Sequence, residues 1–403
     1  MLIKLHVKKD LKVVSIEEES LLKAYISCRS LSESICAPIK SRHFAAQVVK
    51  FASPAKWHLA HTTWFFEEMI LKNQDGYEKF NEQFSYLFNS YYNSIGERIS
   101  QDSRGGITSS VEEVYAYRKH VDEGMVKLFS GTSVDSVSDH VKNLVETGIN
   151  HEQQHQELMY TDLKITLYKD PGLPVYDQTS HLLEDKLQGE QLWLKKAEGV
   201  YEIGHEGETF CYDNEKGRHK VYLQEFEISK QVVTTGEYLA FIQDGGYTKS
   251  ALWLDDGWRW VSENKITAPM YWIRKGDQWE QFTLGGLRKL EPNQMLSHVS
   301  FYEANAFATW KGMRLATEFE WEVASDDLNW GSRWEWTYSA YLPYPGFKIV
   351  AGALGEYNGK FMINQMVLRG ASKATSSNHS RKTYRNFFSA ETQWQFSGIR
   401  LVK

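Results

Sequence analysis

Apolar residues recur at helical spacing in four stretches of the first 170 residues. The first stretch covers residues 15–37 and the third covers residues 110–129, and in both the apolar positions fall every three or four residues. The fourth runs from residue 134 to residue 168 without a proline. Four long amphipathic helices in one segment predict a helix bundle.

The second stretch carries its own start signal. Ser53 is suited to cap free helical amides, and Pro54 is suited to the first helical position. The predicted helix continues to about Leu71, and a polar, tyrosine-rich connection follows at residues 84–93. Tyr91 and Tyr92 lie in that connection.

The pattern changes after Lys169. Residues 170–174 contain two prolines and a glycine, which end the helix, and a polar linker is predicted up to about residue 190. From residue 192 onward, short strand-like runs such as 221–223 alternate with glycine-rich turns, and helical spacing returns near residues 235–244 and 302–311. An α+β protein is therefore expected, although the pattern does not name the fold of its second half.

Composition narrows the class of protein. The chain has 403 residues, which is enough for two or three domains, and its formal charge of -6 gives no reason to expect nucleic acid. It contains three cysteines with no CxxC spacing, no apolar core of a signal peptide and no run long enough to span a membrane. We expect a cytoplasmic protein without membrane contact.

The candidate chemistry centres on His151 and His155 in the fourth helix. Residues four apart on an α-helix project from one face, so both imidazoles can reach one metal ion. Glu157 is six residues from His151, about 240° round the helix, and cannot join the pair from there. Such pairs are common by chance, and a metal site needs a third ligand from elsewhere in the chain.

The second helix offers two sources for that ligand. His58 and His61 are three residues apart and share a face within about 60°, so spacing does not choose between them. Three imidazoles would leave open positions for catalysis on either zinc or ferrous iron. Tyr91 and Tyr92 are candidates for a proton or hydrogen-atom donor, because a phenol near a metal can serve in either role.

Several long motifs resemble one family. Residues 53–67 and 151–157 closely resemble signatures of the ergothioneine-biosynthesis sulfoxide synthases, and residues 334–347, 353–361 and 383–388 resemble signatures of their second domain. Residues 398–402 are similar to the end of formylglycine-generating-enzyme-like domains. The resemblance spans nearly the whole chain.

The resemblance implies a fold and an activity. It implies a DinB-like four-helix bundle at residues 1–170, a linker at 171–190 and a formylglycine-generating-enzyme-like domain, related to C-type lectins, at 191–403, with the substrate site at the domain interface. Members of the family use non-haem Fe(II) and O2 to join a thiol to the imidazole of hercynine (Nα-trimethylhistidine) as a sulfoxide. The expected partners are thus small molecules, and the oligomeric state stays open.

The resemblance also implies roles for single residues. Matching positions place the iron ligands on His61, His151 and His155, which favours His61 over His58. Gln154 matches a residue that contacts the hercynine imidazole. Further substrate contacts are implied at Tyr357, Arg385, Asn386, Phe387 and Phe388, of which Asn386 and Phe387 match the site that holds the hercynine carboxylate.

Departures from the family pattern indicate the sulfur donor. Relatives that use γ-glutamylcysteine carry charged residues where this chain has Tyr91, Tyr92, Phe388 and Thr392, and desolvating a dicarboxylate requires paired cations. Their catalytic tyrosine of the second domain corresponds here to Leu354. Relatives with the tyrosine pair take free cysteine, so cysteine is expected here, with Tyr91 or Tyr92 as the donor.

Other functions have to be weighed against this one. γ-Glutamylcysteine as donor and a selenoneine-forming relative share the architecture. Formylglycine-generating enzymes need reactive cysteines late in the chain, whereas the last cysteine here is Cys211. In a different class, zinc could occupy the bundle of a thiol transferase that carries a lectin-like binding module.

Overall fold

The structure is a computed structural model of the chain, and it divides into two compact units. The first unit comprises Met1–Ser90 and Gly96–Met159, and the second comprises Tyr91–Ile95 and Tyr160–Lys403. The predicted domain limits at residues 170 and 190 stay a prediction. The structure describes residues 16–90, 92, 96–130, 137–179, 182, 186–187, 191–349, 355 and 358–403.

Helices build the first unit. The four predicted stretches form its four long helices, so the helical region is confirmed, while its DinB-like type stays a prediction. Short 3₁₀ segments at Leu71–Asn73 and Gln101–Gly106 join them. The helices are α1 Ile16–Cys36, α2 Ser41–Phe44, α3 Ala55–Met69, α4 Phe84–Leu87, α5 Val111–Ser130 and α6 Asp139–Lys169, the last of which continues into the second unit.

Helix α3 is the central helix of this unit, because every residue from 55 to 68 is buried. Its polar side chains are therefore paired, as buried polar groups must be. The Lys56 ammonium donates to two backbone carbonyls of the segment before α5, and the Glu67 carboxylate accepts from the hydroxyls of Tyr77 and Tyr117. These bonds fix the rotation of α3 about its axis.

The start of α3 differs from the prediction. Pro54 occupies the N-cap position and Ala55 is the first helical residue, with no side-chain bond at the cap. The Ser53 hydroxyl instead accepts a hydrogen bond of 2.8 Å from the buried Arg104 guanidinium. The predicted capping role of Ser53 is therefore wrong, since a charged donor takes the oxygen that would have met the helix amide.

Among the described residues, four α-helices belong wholly to the second unit, and three of them begin with a capping box. The side chains of Thr234, Ser300 and Thr317 each accept from the backbone N–H three residues on, where a glutamate returns the bond. Two of the four were predicted from helical spacing. The helices are α7 Thr235–Gln243, α8 Asp255–Asn264, α9 Phe301–Trp310 and α10 Glu318–Ala324.

In the described part of this unit, short strands form four small sheets. Their orders are β1-β4-β13-β8, β11-β10-β9-β12, β2-β3 and β5-β6-β7. In the second of these sheets, strand β10 lies between β9 and β11. Its Leu368 pairs with Trp336 of β9, and its Val367 pairs with Phe387 of β11. The mixed helix and sheet class is confirmed. The strands are β1 Trp193–Lys196, β2 Gly199–Ile203, β3 His219–Leu223, β4 Phe226–Ser229, β5 Trp272–Lys275, β6 Gln278–Thr283, β7 Gly286–Lys289, β8 Arg314–Leu315, β9 Arg333–Ala340, β10 Met366–Ala371, β11 Asn386–Phe388, β12 Ser397–Gly398 and β13 Leu401–Val402.

Two tryptophans anchor the core of the second unit. Trp334 and Trp336 are buried in the main apolar cluster, and the Trp336 indole N–H donates to the Val299 carbonyl at 2.8 Å. Trp336 is therefore part of the packed core of this unit. Within the described part of the chain, no helix is both long and apolar enough to cross a membrane.

Candidate metal centre

Three histidines from two helices meet inside the first unit. Helix α3 supplies His61 and helix α6 supplies His151 and His155, and one ring nitrogen of each lies within 4.8 Å of the others. His61 Nε2 and His151 Nε2 are 3.2 Å apart. All three side chains are buried. The structure thus brings together the three residues for which the sequence predicted a metal site.

Neither of the other sequence candidates belongs to this group. Glu157 lies outside it, as the helical rotation predicted, and no carboxylate among the described residues joins it. His58 lies beside the group and not in it, since its Nδ1 is 2.8 Å from Nδ1 of His155. The ambiguity between His58 and His61 is resolved by geometry in favour of His61 as a member of the group.

The ring of His61 is held on both faces and at one edge. Trp57 stacks on it at 4.6 Å between ring centroids with 9° between the planes, and Trp64 lies at 5.6 Å with 16°. Its Nδ1 is 2.6 Å from the carbonyl oxygen of Phe88, which can only accept. The proton of neutral His61 therefore sits on Nδ1, and the Nε2 lone pair faces His151.

Burial sets the protonation state of the three rings. It lowers the pKa of His151 to about 3 and the pKa of His61 and His155 well below the usual range, with mutual repulsion among the rings adding to the effect for His61 and His155. At neutral pH all three are therefore neutral, which is the form that binds a metal ion.

A divalent transition-metal ion fits this donor set. Two nitrogens at bonding distance from one such ion, about 2.0–2.1 Å each, lie roughly 3.3 Å from one another, close to the separation of the His61 and His151 nitrogens. Three neutral imidazoles satisfy only part of a metal's coordination shell, and the remainder is open to substrates.

An ion-pair cluster lies on the other side of α6. Glu152, next to His151 in sequence, is completely buried and accepts from Arg29 at 2.9 Å, Arg118 at 3.2 Å and the Ser32 hydroxyl at 2.6 Å. Burial alone would raise the pKa of Glu152, but the two guanidiniums outweigh it and hold the pKa at about 2. The carboxylate is thus ionised, and it ties α6 to α1 and α5.

Arg118 extends the cluster to α3. Its guanidinium donates to the Leu59 carbonyl at 3.2 Å and lies 3.4 Å from the hydroxyls of Thr62 and Thr63. The same side chain therefore contacts both helices that carry the three histidines. We call the ion pairs of Glu152 with Arg29 and Arg118 the clamp. Sequence reasoning missed it, because its one signal was a glutamate inside the histidine motif.

Of the two predicted tyrosines, Tyr92 belongs to the second unit. Tyr92 is fully buried, and Tyr91 lies outside the described residues. Gln154, beside His155 on α6, is half-buried, and Tyr357 and Leu354 also lie outside the described residues. The roles assigned to these residues stay predictions.

The other substrate candidates cluster on and before β11. The ring of Phe387 stacks on Tyr341 at 4.1 Å with 10° between the planes, and Phe388 meets Trp394 edge-on at 5.1 Å. The backbone N–H of Phe387 donates to Asn386 Oδ1 at 2.9 Å. Asn386, Phe387 and Phe388 are each half-buried and remain candidates for contact with a ligand.

Arg385 is engaged inside the second unit. Its guanidinium donates to both oxygens of Glu318 at 2.8 and 2.9 Å and to the carbonyls of Asn214 and Leu342, and it lies over the ring of Tyr344. The side chain is buried and holds β11 to α10. Its assignment as a substrate contact stays a prediction.

Part of the chain matches a domain family, and the chain is also similar to several individual proteins. Residues 189–332 match the family described as sulfatase-modifying factor enzyme 1-like domain. Hercynine oxygenase of Mycobacterium tuberculosis is 30% identical over 63% of this chain and 70% of its own length. Hercynine oxygenase of Mycolicibacterium thermoresistibile is 26% identical over 74% of this chain and 81% of its own. The formylglycine-generating enzyme of Streptomyces coelicolor is 31% identical over 32% and 45% of the respective chains.

Proposed function

The chain belongs to the hercynine oxygenase family, and we propose that it is the sulfoxide synthase of an ergothioneine pathway that joins cysteine to hercynine. The reaction forms a carbon–sulfur bond at the hercynine imidazole and oxidises the sulfur to a sulfoxide. O2 accepts all the electrons that the two steps release, with one oxygen atom ending in the sulfoxide and the other in water. The balance requires no further oxidant or reductant.

The three-histidine group supports iron as the cofactor of this reaction. His61, His151 and His155 would hold Fe(II) as three neutral donors and leave positions open beside it. When bound, ferrous iron supplies a site for the thiolate, lowers the pKa of the thiol and delivers electrons to O2. The protein's own contribution is to keep the three nitrogens pre-aligned in a buried, apolar setting.

Orientation of the acceptor is the second task of the chain. We assign the carboxamide of Gln154 to the hercynine imidazole, since Gln154 adjoins His155 on α6, is half-buried and matches the family residue that contacts this imidazole. Asn386 and Phe387 are assigned to the hercynine carboxylate, and Phe388 to the wall of the same site. Holding the imidazole carbon close to the sulfur turns an encounter of two substrates into a step between aligned groups, which contributes much of the rate.

Free cysteine is favoured as the donor by the chemistry of the second unit. Phe388 and Thr392 stand where relatives specific for γ-glutamylcysteine carry charges, and here the Phe388 ring packs on Trp394 while the Thr392 hydroxyl donates to the Ser389 carbonyl. Neither can neutralise the additional carboxylate of γ-glutamylcysteine. γ-Glutamylcysteine and a selenium donor are therefore the runner-up substrates.

The observation that carries the proposal is the convergence of His61, His151 and His155 in a chain of this family. The test is O2 uptake by the Fe(II)-loaded protein with hercynine and one donor at a time: cysteine, γ-glutamylcysteine or a selenosugar. We expect uptake and a sulfoxide product with cysteine, and at most slow uptake with the other two. Absence of O2 uptake with all donors, together with zinc-dependent thiol transfer, would instead establish the transferase alternative.

A further inference from the structure

We propose that His58 is a positioning residue that fixes the tautomer and ring orientation of His155. The inference rests on the proposed function, in which His155 is one of three metal ligands. It assigns a task to a histidine that the sequence left as an alternative ligand. Helix α3 then orients two of the three ligands, because it carries His61 and holds His155 through His58.

The contact between the two rings is a hydrogen bond in the interior of the first unit. His58 Nδ1 and His155 Nδ1 are 2.8 Å apart, and the ring centroids are 5.1 Å apart with 57° between the planes. His58 is 2% exposed and His155 is 7% exposed, so bulk water does not compete for the bond. Such a bond in a buried site is costly to lose.

A count of protons shows what this bond dictates. One hydrogen must lie between the two nitrogens, because two lone pairs at 2.8 Å would repel each other. Neutral His155 that coordinates through Nε2 carries its hydrogen on Nδ1, so His155 donates and His58 accepts. His58 must then carry its own hydrogen on Nε2. The two tautomers are therefore coupled, and the pair keeps the lone pair of His155 on Nε2, where it can bind a metal ion.

His61 has an equivalent device of a different kind. Its Nδ1–H donates to the Phe88 carbonyl at 2.6 Å, and its Nε2 lies 3.2 Å from His151 Nε2. Metal-binding histidines generally donate their second N–H to a carbonyl or carboxylate, and loss of that acceptor costs about 10–100-fold in metal affinity. At His155 the acceptor is Nδ1 of His58, which can accept only in the tautomer that carries the His58 hydrogen on Nε2.

Neighbouring rings keep His58 in place for this role. The Trp57 indole meets His58 edge-on at 5.7 Å and reaches His155 at 6.1 Å, while its face stacks on His61. Arg104 covers the other face of Trp57 at 3.5 Å. The consecutive residues Trp57 and His58 therefore support two ligands from a single turn of α3.

The experiment compares isosteric variants of His58. Asparagine carries its carbonyl oxygen where the imidazole carries Nδ1, so His58→Asn keeps an acceptor for His155. Glutamine carries its amide near the Nε2 position, so His58→Gln removes the acceptor while keeping a polar side chain, and His58→Leu removes it altogether. His43→Leu serves as the matched control, since His43 is buried in the same unit outside the group.

The readouts are Fe(II) affinity by chelator competition and the visible absorption of the Co(II)-loaded protein. We expect His58→Asn and His43→Leu to stay within about 3-fold of the parent chain, and His58→Gln and His58→Leu to lose about 10–100-fold. The Co(II) spectrum of His58→Asn should match the parent in band positions. The pair of His58→Asn and His58→Gln carries the test if His58→Leu does not fold.

Two outcomes would overturn the inference. Equal affinity in all His58 variants would mean that the ring does not orient His155. An equal loss in all of them, with a Co(II) spectrum of fewer nitrogen ligands already in His58→Asn, would make His58 itself a ligand. Failure of the proposed function is distinguishable from either, because it would show as absence of O2 uptake by the Fe(II)-loaded parent chain, whereas these outcomes compare metal binding of the variants with that of the parent.

Discussion

Single residues decide which histidines share the metal centre. Helical rotation alone grouped His151 with His155 and excluded Glu157, and the structure agrees. The same rule could not separate His58 from His61, because residues three apart differ by only about 60°. That choice depends on how α3 is rotated within the packed unit, which is set by contacts distant in sequence such as His61 Nδ1 with the Phe88 carbonyl and is not contained in local spacing.

The predicted donor tyrosines can be tested one residue at a time. We expect Tyr91→Phe and Tyr92→Phe, singly or together, to lower the yield of sulfoxide and divert cysteine to its sulfinate, because phenylalanine keeps the ring but removes the transferable hydrogen. The measurement is the product ratio by mass spectrometry at equal O2 consumption. Tyr86→Phe, at an exposed tyrosine before the pair, is the control. Unchanged sulfoxide yield in both variants and in the double variant would refute the assignment.

Helices α3 and α6 are held together by charges that the sequence pattern did not predict. Periodicity found both helices to within a few residues, yet it assigns polar positions to solvent, whereas Arg29, Arg118 and Glu152 are all buried. Their pairing requires three helices to be assembled first. The clamp is therefore a property of the packed unit and not of any one helix.

Breaking the clamp at its centre should destabilise the first unit. Glu152→Gln removes the buried carboxylate that Arg29 and Arg118 share and leaves them the more exposed carboxylates of Asp122 and Glu33. We expect a loss of about 3–5 kcal/mol in the free energy of unfolding. Denaturant titration followed by circular dichroism measures it. The matched control is Glu123→Gln on α5, whose exposed carboxylate should matter by less than about 0.5 kcal/mol. Similar losses in the two variants would contradict a special role for the buried charge.

At Gly148, helix α6 packs directly against the rings of Phe65 and Phe66 on α3. A β-carbon at this position would lie 2.5 Å from the Phe66 ring and 3.0 Å from Phe65. Alanine normally stabilises a helix by about 1 kcal/mol relative to glycine, but here overpacking of about 1–3 kcal/mol should reverse the sign.

The control for Gly148→Ala is Gly124→Ala on α5. There a β-carbon would lie 2.9 Å from the end of the flexible Leu71 side chain and 3.1 Å from the half-buried Tyr77 ring, and both can move aside more readily than the fully buried Phe66 ring. We expect Gly148→Ala to lower the thermal midpoint and weaken Fe(II) binding, since His151 lies one turn away, and Gly124→Ala to leave Fe(II) binding unchanged. Normal metal affinity in Gly148→Ala would show that the two helices can separate without disturbing the centre.

The two halves of the molecule differed in how far sequence could describe them. The long helices of the first unit have strong periodicity, whereas α10 of the second unit has seven residues whose alternating EFEWEVA pattern is typical of a strand. Strand β9, with the sequence RWEWTYSA, alternates polar and apolar residues, yet its first five residues are all buried, so the alternation does not indicate an exposed face. Short elements of this kind are fixed by their neighbours, which is why resemblance to a family, and not pattern, named that fold.

The stability of the second unit should depend on pH through a buried histidine. Burial lowers the pKa of His379 to about 3, with Arg381 adding repulsion, while an unfolded histidine has a pKa near 6.5. Between those values the unfolded chain binds a proton that the folded chain does not, so stability falls as pH falls from about 6.5 toward 3. The loss is up to about 1.4 kcal/mol for each pH unit.

His379→Gln isolates this contribution. Glutamine can place its amide near the Tyr384 hydroxyl, which lies 3.4 Å from His379 Nε2, but it does not titrate. Denaturant titrations at several pH values between 7 and 4 should show a shallower decline for the variant than for the parent. Parallel declines would mean that His379 is not the group responsible.

Isotope labelling gives the most direct test of the whole account. The Fe(II)-loaded protein is mixed with hercynine, cysteine and heavy-oxygen-labelled O2, and the product is analysed by mass spectrometry. We predict a cysteine conjugate of hercynine that carries one labelled oxygen on sulfur, with no conjugate formed by His61→Ala, which lacks one of the three nitrogens. A conjugate without label, or one formed equally without iron or O2, would contradict the assignment of this chain as an iron-dependent sulfoxide synthase.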